Sequence, residues 1–128
     1  MGTQAVKTGA LTAIGQIAIT VRDLGRAVEF YRDILGLTFL FEAGQMAFFD
    51  CGGTRLMLNP SQQVDSTYSS ILYYGTADIH AAAAQLSAGD VGFEAPPRLI
   101  AKMPDHELWM AFFRDSEGNL LALMSEVR

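Results

Sequence analysis

The sequence predicts an α+β fold of two βαβββ modules, with a curved mixed sheet around a cup, and three observations carry that expectation. Residues 110–124 read as an apolar strand, a polar turn containing Gly118 and a second apolar strand, the pattern of a β-hairpin. The same unit occurs at 48–58, where Phe48-Phe49, Asp50, Gly52-Gly53 and Leu56-Met57-Leu58 repeat the paired phenylalanines, the acid, the turn glycine and the apolar exit. Each hairpin also follows a strand and an acid-capped helix, with Asp23 and Asp78 lying 55 residues apart and the paired phenylalanines 64 apart. Two such modules bury their helices on one side and leave the other faces around a cleft, where small molecules usually bind.

Each element has a local reason. Ile17, Ile19 and Val21 alternate with Gln16, Ala18 and Thr20, the period of two of a half-buried strand. Asp23 is placed to accept from the free N–H groups of a helical first turn, and Leu24, Ala27, Phe30, Tyr31, Ile34 and Leu35 recur at helical spacing until Gly36 stops the helix. Segments 37–43, 45–50 and 54–59 then read as a three-stranded meander. Residues 61–68 are polar and without period, and serve as a linker. The second half repeats the order: a strand at 69–76, an alanine-rich helix at 79–88 capped by Asp78 and closed by Gly89, a short strand at 91–93, a break at Pro96-Pro97, an extended segment at 98–103, a turn at 104–107, and the hairpin. One domain over 1–128 is expected, made of a module at 12–60, the linker, and a module at 69–126.

Composition narrows the function classes. A chain of 128 residues that is 50% hydrophobic and 18% charged has ordinary globular composition. The net charge of −5 and scattered basic residues argue against a nucleic-acid surface, which needs clustered Lys and Arg to neutralise phosphates. A lone Cys51 forms no internal disulfide, and there is no apolar run of the ~20 residues that span a bilayer and no secretory leader, so a cytoplasmic protein is expected.

Several side chains are candidates for a site. Gln16, facing the cup, is placed either to hydrogen-bond a ligand or to be satisfied by a neighbouring strand or water. Arg55 shares a strand face with Met57 and Asn59, where a guanidinium suits a carboxylate or phosphate, although a solvated edge arginine is the commoner case. His106, between Asp105 and Glu107, belongs to the chain's only acid–imidazole cluster and is a weak catalytic candidate as a general base, with Tyr73 as a possible acid–base partner. Adjacent turn residues diverge, however, so the three do not form a chelate; His80 reads as a surface residue. Tyr73 and Trp109 lie among the aromatics that alternate between core and cup and suit an apolar or aromatic ligand. Cys51 has no activating neighbour in sequence, and the methionines read as adaptable core filler.

The stretches Gln16-Ile-Ala-Ile-Thr-Val-Arg-Asp-Leu24, Ala27-Val-Glu-Phe-Tyr-Arg-Asp-Ile-Leu-Gly-Leu37 and Phe112-Phe-Arg-Asp-Ser-Glu-Gly-Asn-Leu-Leu121 resemble the vicinal oxygen chelate superfamily, which includes glyoxalase I, extradiol dioxygenases and bleomycin-resistance proteins. The resemblance runs over 14–126 and implies the glyoxalase-like fold, commonly as a homodimer. It also implies a divalent metal held from four equivalent strand positions. Here those positions are Gln16, Met57, Ile71 and Ala122. A hard cation needs carboxylate, carbonyl or imidazole donors, and only the weak neutral amide of Gln16 approaches that. The expectation is therefore no metal and no other cofactor.

Together these readings give a small-molecule-binding protein of the glyoxalase/bleomycin-resistance type. Its pocket is expected at Gln16, Arg55, Met57, Ile71, Tyr73, Trp109 and Ala122, with a small apolar or aromatic organic ligand, no nucleic acid and no membrane. The alternative is a glyoxalase- or dioxygenase-like enzyme with a displaced metal or a metal-free acid–base mechanism. A third class is a structural or regulatory module that uses a sheet face for protein contact.

Overall fold

The computed structural model describes residues 14–61 and 70–128. The linker expected at 61–68, apart from Ser61, lies outside them. Among the described residues the order is β1 (Gln16–Val21), α1 (Leu24–Glu29) running on into a π-helical turn (Phe30–Ile34), β2 (Thr38–Ala43), β3 (Met46–Cys51) and β4 (Thr54–Pro60). The second module follows as β5 (Leu72–Gly75), α2 (Ile79–Ala88), β6 (Arg98–Lys102), β7 (Glu107–Arg114) and β8 (Leu120–Val127). This is the expected pair of βαβββ modules in an α+β fold. Each module has its own four-stranded mixed sheet, ordered β1-β4-β3-β2 and β5-β8-β7-β6, with the first strand of each module parallel to the last.

The duplication extends to irregularities. The edge strands β2 and β6 each carry a bulge, between Phe39 and Phe41 and between Leu99 and Ala101. Bulges at a sheet edge bend the strand and interrupt the row of free backbone groups that would template pairing with another chain. The two helices also begin alike, Asp23 accepting from the Arg26 N–H at 3.0 Å and Asp78 from the Ala81 N–H at 3.1 Å.

Two elements differ from the sequence reading. The helix expected to run evenly from Leu24 to Leu35 widens, and the Leu35 N–H donates to the Phe30 carbonyl five residues back, at 2.9 Å. The widening lets the consecutive Phe30 and Tyr31 both be buried, where regular winding would rotate one of them away. The short strand expected at 91–93 is only an isolated bridge from Phe93 to Phe113, because Pro96-Pro97 follows closely and Pro cannot donate to a ladder.

Helix α1 packs on β3 and β4, and α2 on β7 and β8. The inner faces of both sheets meet the helices in one continuous core that includes Val21, Phe49, Leu58, Ile79, Phe113 and Leu121. Aromatic pairs knit it, with Tyr31 6.1 Å from Phe49 and Phe93 5.2 Å from Phe113. None of the helices in the described residues is long and apolar enough to cross a membrane.

The two modules are joined by the turn Asp115-Ser-Glu-Gly-Asn119. Glu117 extends from it to the start of α1, where Oε1 accepts from the backbone N–H groups of Arg22 and Asp23 at 2.9 and 2.8 Å, and Arg26 donates from Nε to Oε2 at 2.7 Å. The Asn119 amide donates to the Thr20 carbonyl at 3.0 Å, fixing the end of β1. Asp115 organises the turn itself: Oδ1 accepts from the N–H groups of Glu117 and Asn119, both at 2.8 Å, and Oδ2 accepts from the Tyr31 hydroxyl at 2.7 Å. Burial pushes the Tyr31 phenol well above its ordinary range, so it remains a proton donor. Gly118 takes φ +87°, a left-handed conformation in which any side chain would be strained.

Burial alone would raise the Glu117 carboxyl, but the hydrogen bonds from Arg26, the Asp23 N–H, Ser116 and the Arg22 N–H outweigh it and hold the pKa down at about 2. A depressed carboxylate stabilises the fold fully above its unfolded value and loses that contribution as pH falls toward the folded value. Acid titration of stability is therefore expected to show a loss between about pH 4.5 and about pH 2. Glu117→Gln should remove most of that dependence and destabilise the protein at pH 7 by about 2 kcal/mol, a figure held down because Arg26 is half exposed and screened. Urea denaturation at several pH values checks both. In the core, Phe113→Ala should cost about 4 kcal/mol by the same measurement, since Phe113 is fully buried and its ring space cannot close.

Candidate functional site

Strand alternation sorts the side chains onto two faces. On β1 and β4, Ile17, Leu56 and Leu58 belong to the inner side, while Gln16, Arg55, Met57 and Asn59 lie on the outer face. On β5 and β8, Leu72, Leu121 and Leu123 are inner, and Tyr73, Ala122 and Met124 are outer. The outer faces are the ones expected to line the cup.

On the first sheet the structure brings three of the expected residues together. Gln16 and Arg55 are register partners, as are Ala18 and Met57, and the Gln16 Nε2 lies 3.8 Å from the Met57 sulfur, a weak contact. Phe48, opposite Met57 on β3, stacks on Phe41 at 4.8 Å, and the Arg55 guanidinium lies 5.9 Å from the centre of the Phe48 ring. On the second sheet, Tyr73 and Ala122 are register partners, and Tyr73 meets Phe112 edge to face at 5.9 Å. Ile71 stands just before β5 and is partly buried. Ala122 is buried beneath its neighbours, whereas Phe41 and Tyr73 are each 44% exposed.

Arg55 and Tyr73 also share a small cleft of about 190 Å³ at the seam between the sheets, whose other walls include Ile14, Ile17, Leu72 and Tyr74. Cys51 lines the same cleft, and its thiol is pushed up by burial and then by Asp50, so it is not an activated thiolate. The Tyr74 hydroxyl is buried with no hydrogen-bond partner among the described residues, and burial raises its pKa far from neutrality.

Two expected residues stand elsewhere. Trp109 shares the inner face with Ala111 and Phe113; its ring meets His80 at 5.1 Å, and its indole N–H donates to Glu107 at 3.2 Å. It therefore does not join the outer-face group, and His80 is its packing neighbour. His106 lies in the β6–β7 turn, its Nδ1 2.7 Å from the Asp105 carboxylate. Tyr73 aligns with Ala122, whereas Glu107, next to His106, aligns with Val127, five residues further along β8. At about 3.4 Å per residue that offset is roughly 17 Å. The structure does not bring Tyr73 and His106 together as an acid–base pair.

The four positions at which the resemblance implies metal ligands hold an amide, a thioether and two aliphatic side chains. Among the described residues no three His, Cys, Asp or Glu side chains converge on a point where a cation could sit. The donor set does not fit a hard divalent metal, because Gln16 alone offers an oxygen and Met57 is a soft sulfur.

The model for the Glyoxalase/Bleomycin resistance protein/Dioxygenase superfamily matches residues 13–123. The chain belongs to this superfamily. Curated relatives in the comparison include the metallothiol transferase FosB of Staphylococcus haemolyticus, 34% identical over 68 residues, which are 49% of this chain and 49% of FosB. The chain thus spans about half the length of the curated relatives it matches. Among solved structures, it resembles the lactoylglutathione lyase from Agrobacterium tumefaciens at 23% identity and TM-score 0.70, covering 91% of this chain and 95% of that one. It also resembles TnmS3, an antibiotic binding protein from Streptomyces sp. CB03234, at 23% identity and TM-score 0.73, covering 91% and 98%. At these identities the structural likeness speaks for the fold.

What sequence reasoning missed is the structural role of the polar turn in docking the two modules. Asp115, Glu117 and Asn119 were legible as turn formers, and the signal for more was present: two acids beside apolar strands, with Arg26 three residues past the helix cap Asp23.

Proposed function

We propose that this protein binds a small apolar or aromatic organic molecule against the outer faces of its sheets, without a metal and without turnover. One observation carries the reading. The face that would hold a metal in the superfamily carries Gln16, Met57 and Ile71 over a buried Ala122, and beside them Phe41, stacked on Phe48, and Tyr73, set against Phe112, are open to solvent. Apolar surface of this kind gains free energy from burial by a ligand at roughly 25 cal/mol per Å². Tyr73 adds a hydroxyl that can orient the ligand's polar end.

The protein acts as a homodimer in this reading, because neither outer face encloses a ligand by itself and a second copy would supply the opposing wall. Residues 1–128 act as one domain, in keeping with the core that the modules share. The lone, unactivated Cys51 accords with a reducing cytoplasm. The antibiotic binding by TnmS3 is a precedent for a binding protein on this fold, and the FosB relatives are a precedent for an enzyme. The binding reading is preferred here because the described residues hold no cluster of metal donors.

Thermal denaturation against a panel of aromatic organic molecules, with sedimentation to count subunits, tests the proposal. A ligand present at a hundred times its Kd should stabilise the fold by about 2.7 kcal/mol. Equilibrium dialysis against Ni, Zn, Fe and Mn should show no tight stoichiometric uptake. Stoichiometric uptake of any of them, or chelator-sensitive turnover of a panel member, would overturn the metal-free binding reading.

A further inference from the structure

The outer face of the first sheet carries a cation that forms no ion pair among the described residues. Arg55 is exposed, and the ion pairs of the described residues form elsewhere. An acid stands directly across the hairpin, since Asp50 is the register partner of Arg55. The guanidinium nevertheless lies over the Phe48 ring, 5.9 Å from its centre. Phe48 in turn stacks on Phe41 at 4.8 Å with 30° between the planes. Phe41 and Phe48 lie in one cross-strand row with Met57, and Arg55, two residues along β4, reaches diagonally to Phe48, so the group is cationic at one end and apolar at the other. The amide of Gln16, the β1 partner of Arg55, makes only the weak contact to Met57 and has further hydrogen-bonding capacity.

An arginine held over a ring at cation–π distance keeps its planar fork of donors open to a ligand. The chain has a net charge of −5, so long-range attraction does not favour anions, and any anion selected must be selected locally. We propose that the ligand of this face is an aromatic carboxylate, whose ring packs on the exposed Phe41, with the buried Phe48 beneath it as support, and whose carboxylate accepts from the Arg55 guanidinium. This rests on the binding reading above and assigns the charge and class of the ligand. It makes Arg55 the residue that sets specificity.

The probes are naphthalene-2-carboxylate, its neutral carboxamide and 2-naphthylmethylammonium, with the corresponding benzene series, measured by calorimetry on the intact protein. The acid should bind about tenfold more tightly than the amide, the scale of one charge-assisted contact, and the ammonium most weakly. Raised salt should narrow the difference. Arg55→Gln should bring the acid-to-amide ratio close to one, and Arg55→Lys, which keeps the charge but loses the fork, should leave an intermediate ratio; circular dichroism establishes that both variants fold. Equal binding of acid and amide by the native protein, or a preference that survives Arg55→Gln, overturns the assignment to Arg55 and leaves the aromatic-binding reading standing. Failure of every probe in both series to bind at millimolar concentration counts against both.

Discussion

The carboxylate of Glu117 is the constraint on which the rest of this structure depends. The first backbone N–H groups of a helix have no partner within the helix and must find acceptors elsewhere. In α1, Asp23 satisfies one of these groups locally, and Glu117, 94 residues further along the chain, takes the N–H of the cap residue Asp23 together with that of Arg22 just before it. The second module thus completes the helix of the first. Because Glu117 also accepts from Arg26, its negative charge sits at the positive end of the helix and against a cation at once. The side chain is fully buried, so an unmet carboxylate there would be costly, and the two modules gain by docking in one register.

That junction explains the course of the chain around it. Asp115 holds the turn rigid through two backbone N–H groups and couples it to Tyr31, whose place in the core depends on the π-helical widening of the helix. Asn119 reaches the end of β1. Three polar side chains from one five-residue turn therefore fix a strand end, a helix start and the buried face of that helix. The outer sheet faces play no part in this network, and they are free to carry a site.

Sequence periodicity made the fold legible, and its limits are visible in particular residues. The caps Asp23 and Asp78 and the paired hairpins were readable because capping and turn formation are local. Which face Trp109 takes was not, because residues 108–113 are apolar at every position and alternation alone does not say which set faces the core. The same ambiguity covers Phe48 and Phe49, of which Phe49 enters the core and Phe48 turns outward to meet Phe41 and Arg55. The bridging role of Glu117 was hidden for another reason: its partners are distant in the chain, and no local pattern encodes a contact between residues 94 apart. Arg55 and Tyr73 were readable as outward-facing candidates, but the cleft they share depends on how the sheets are set beside each other.

The separation of the two faces also bears on what family membership can carry. β1 places Ile17, Ile19 and Val21 inward and Gln16, Ala18 and Thr20 outward, and β8 divides Leu121 and Leu123 from Ala122 in the same way. Inward residues and the Asp115–Asn119 turn are held by packing and by buried hydrogen bonds, so a chain with this fold has strong physical reason to keep them. An outward position such as Gln16 or Met57 answers chiefly to what meets the face, and a change of side chain there leaves the core undisturbed. The Asp115–Asn119 turn reports on how the modules dock, whereas the alternate, outward residues of the same strands take no part in that docking. That is why a chain can match the superfamily over residues 13–123 and still carry an amide, a thioether and two aliphatic side chains at Gln16, Met57, Ile71 and Ala122.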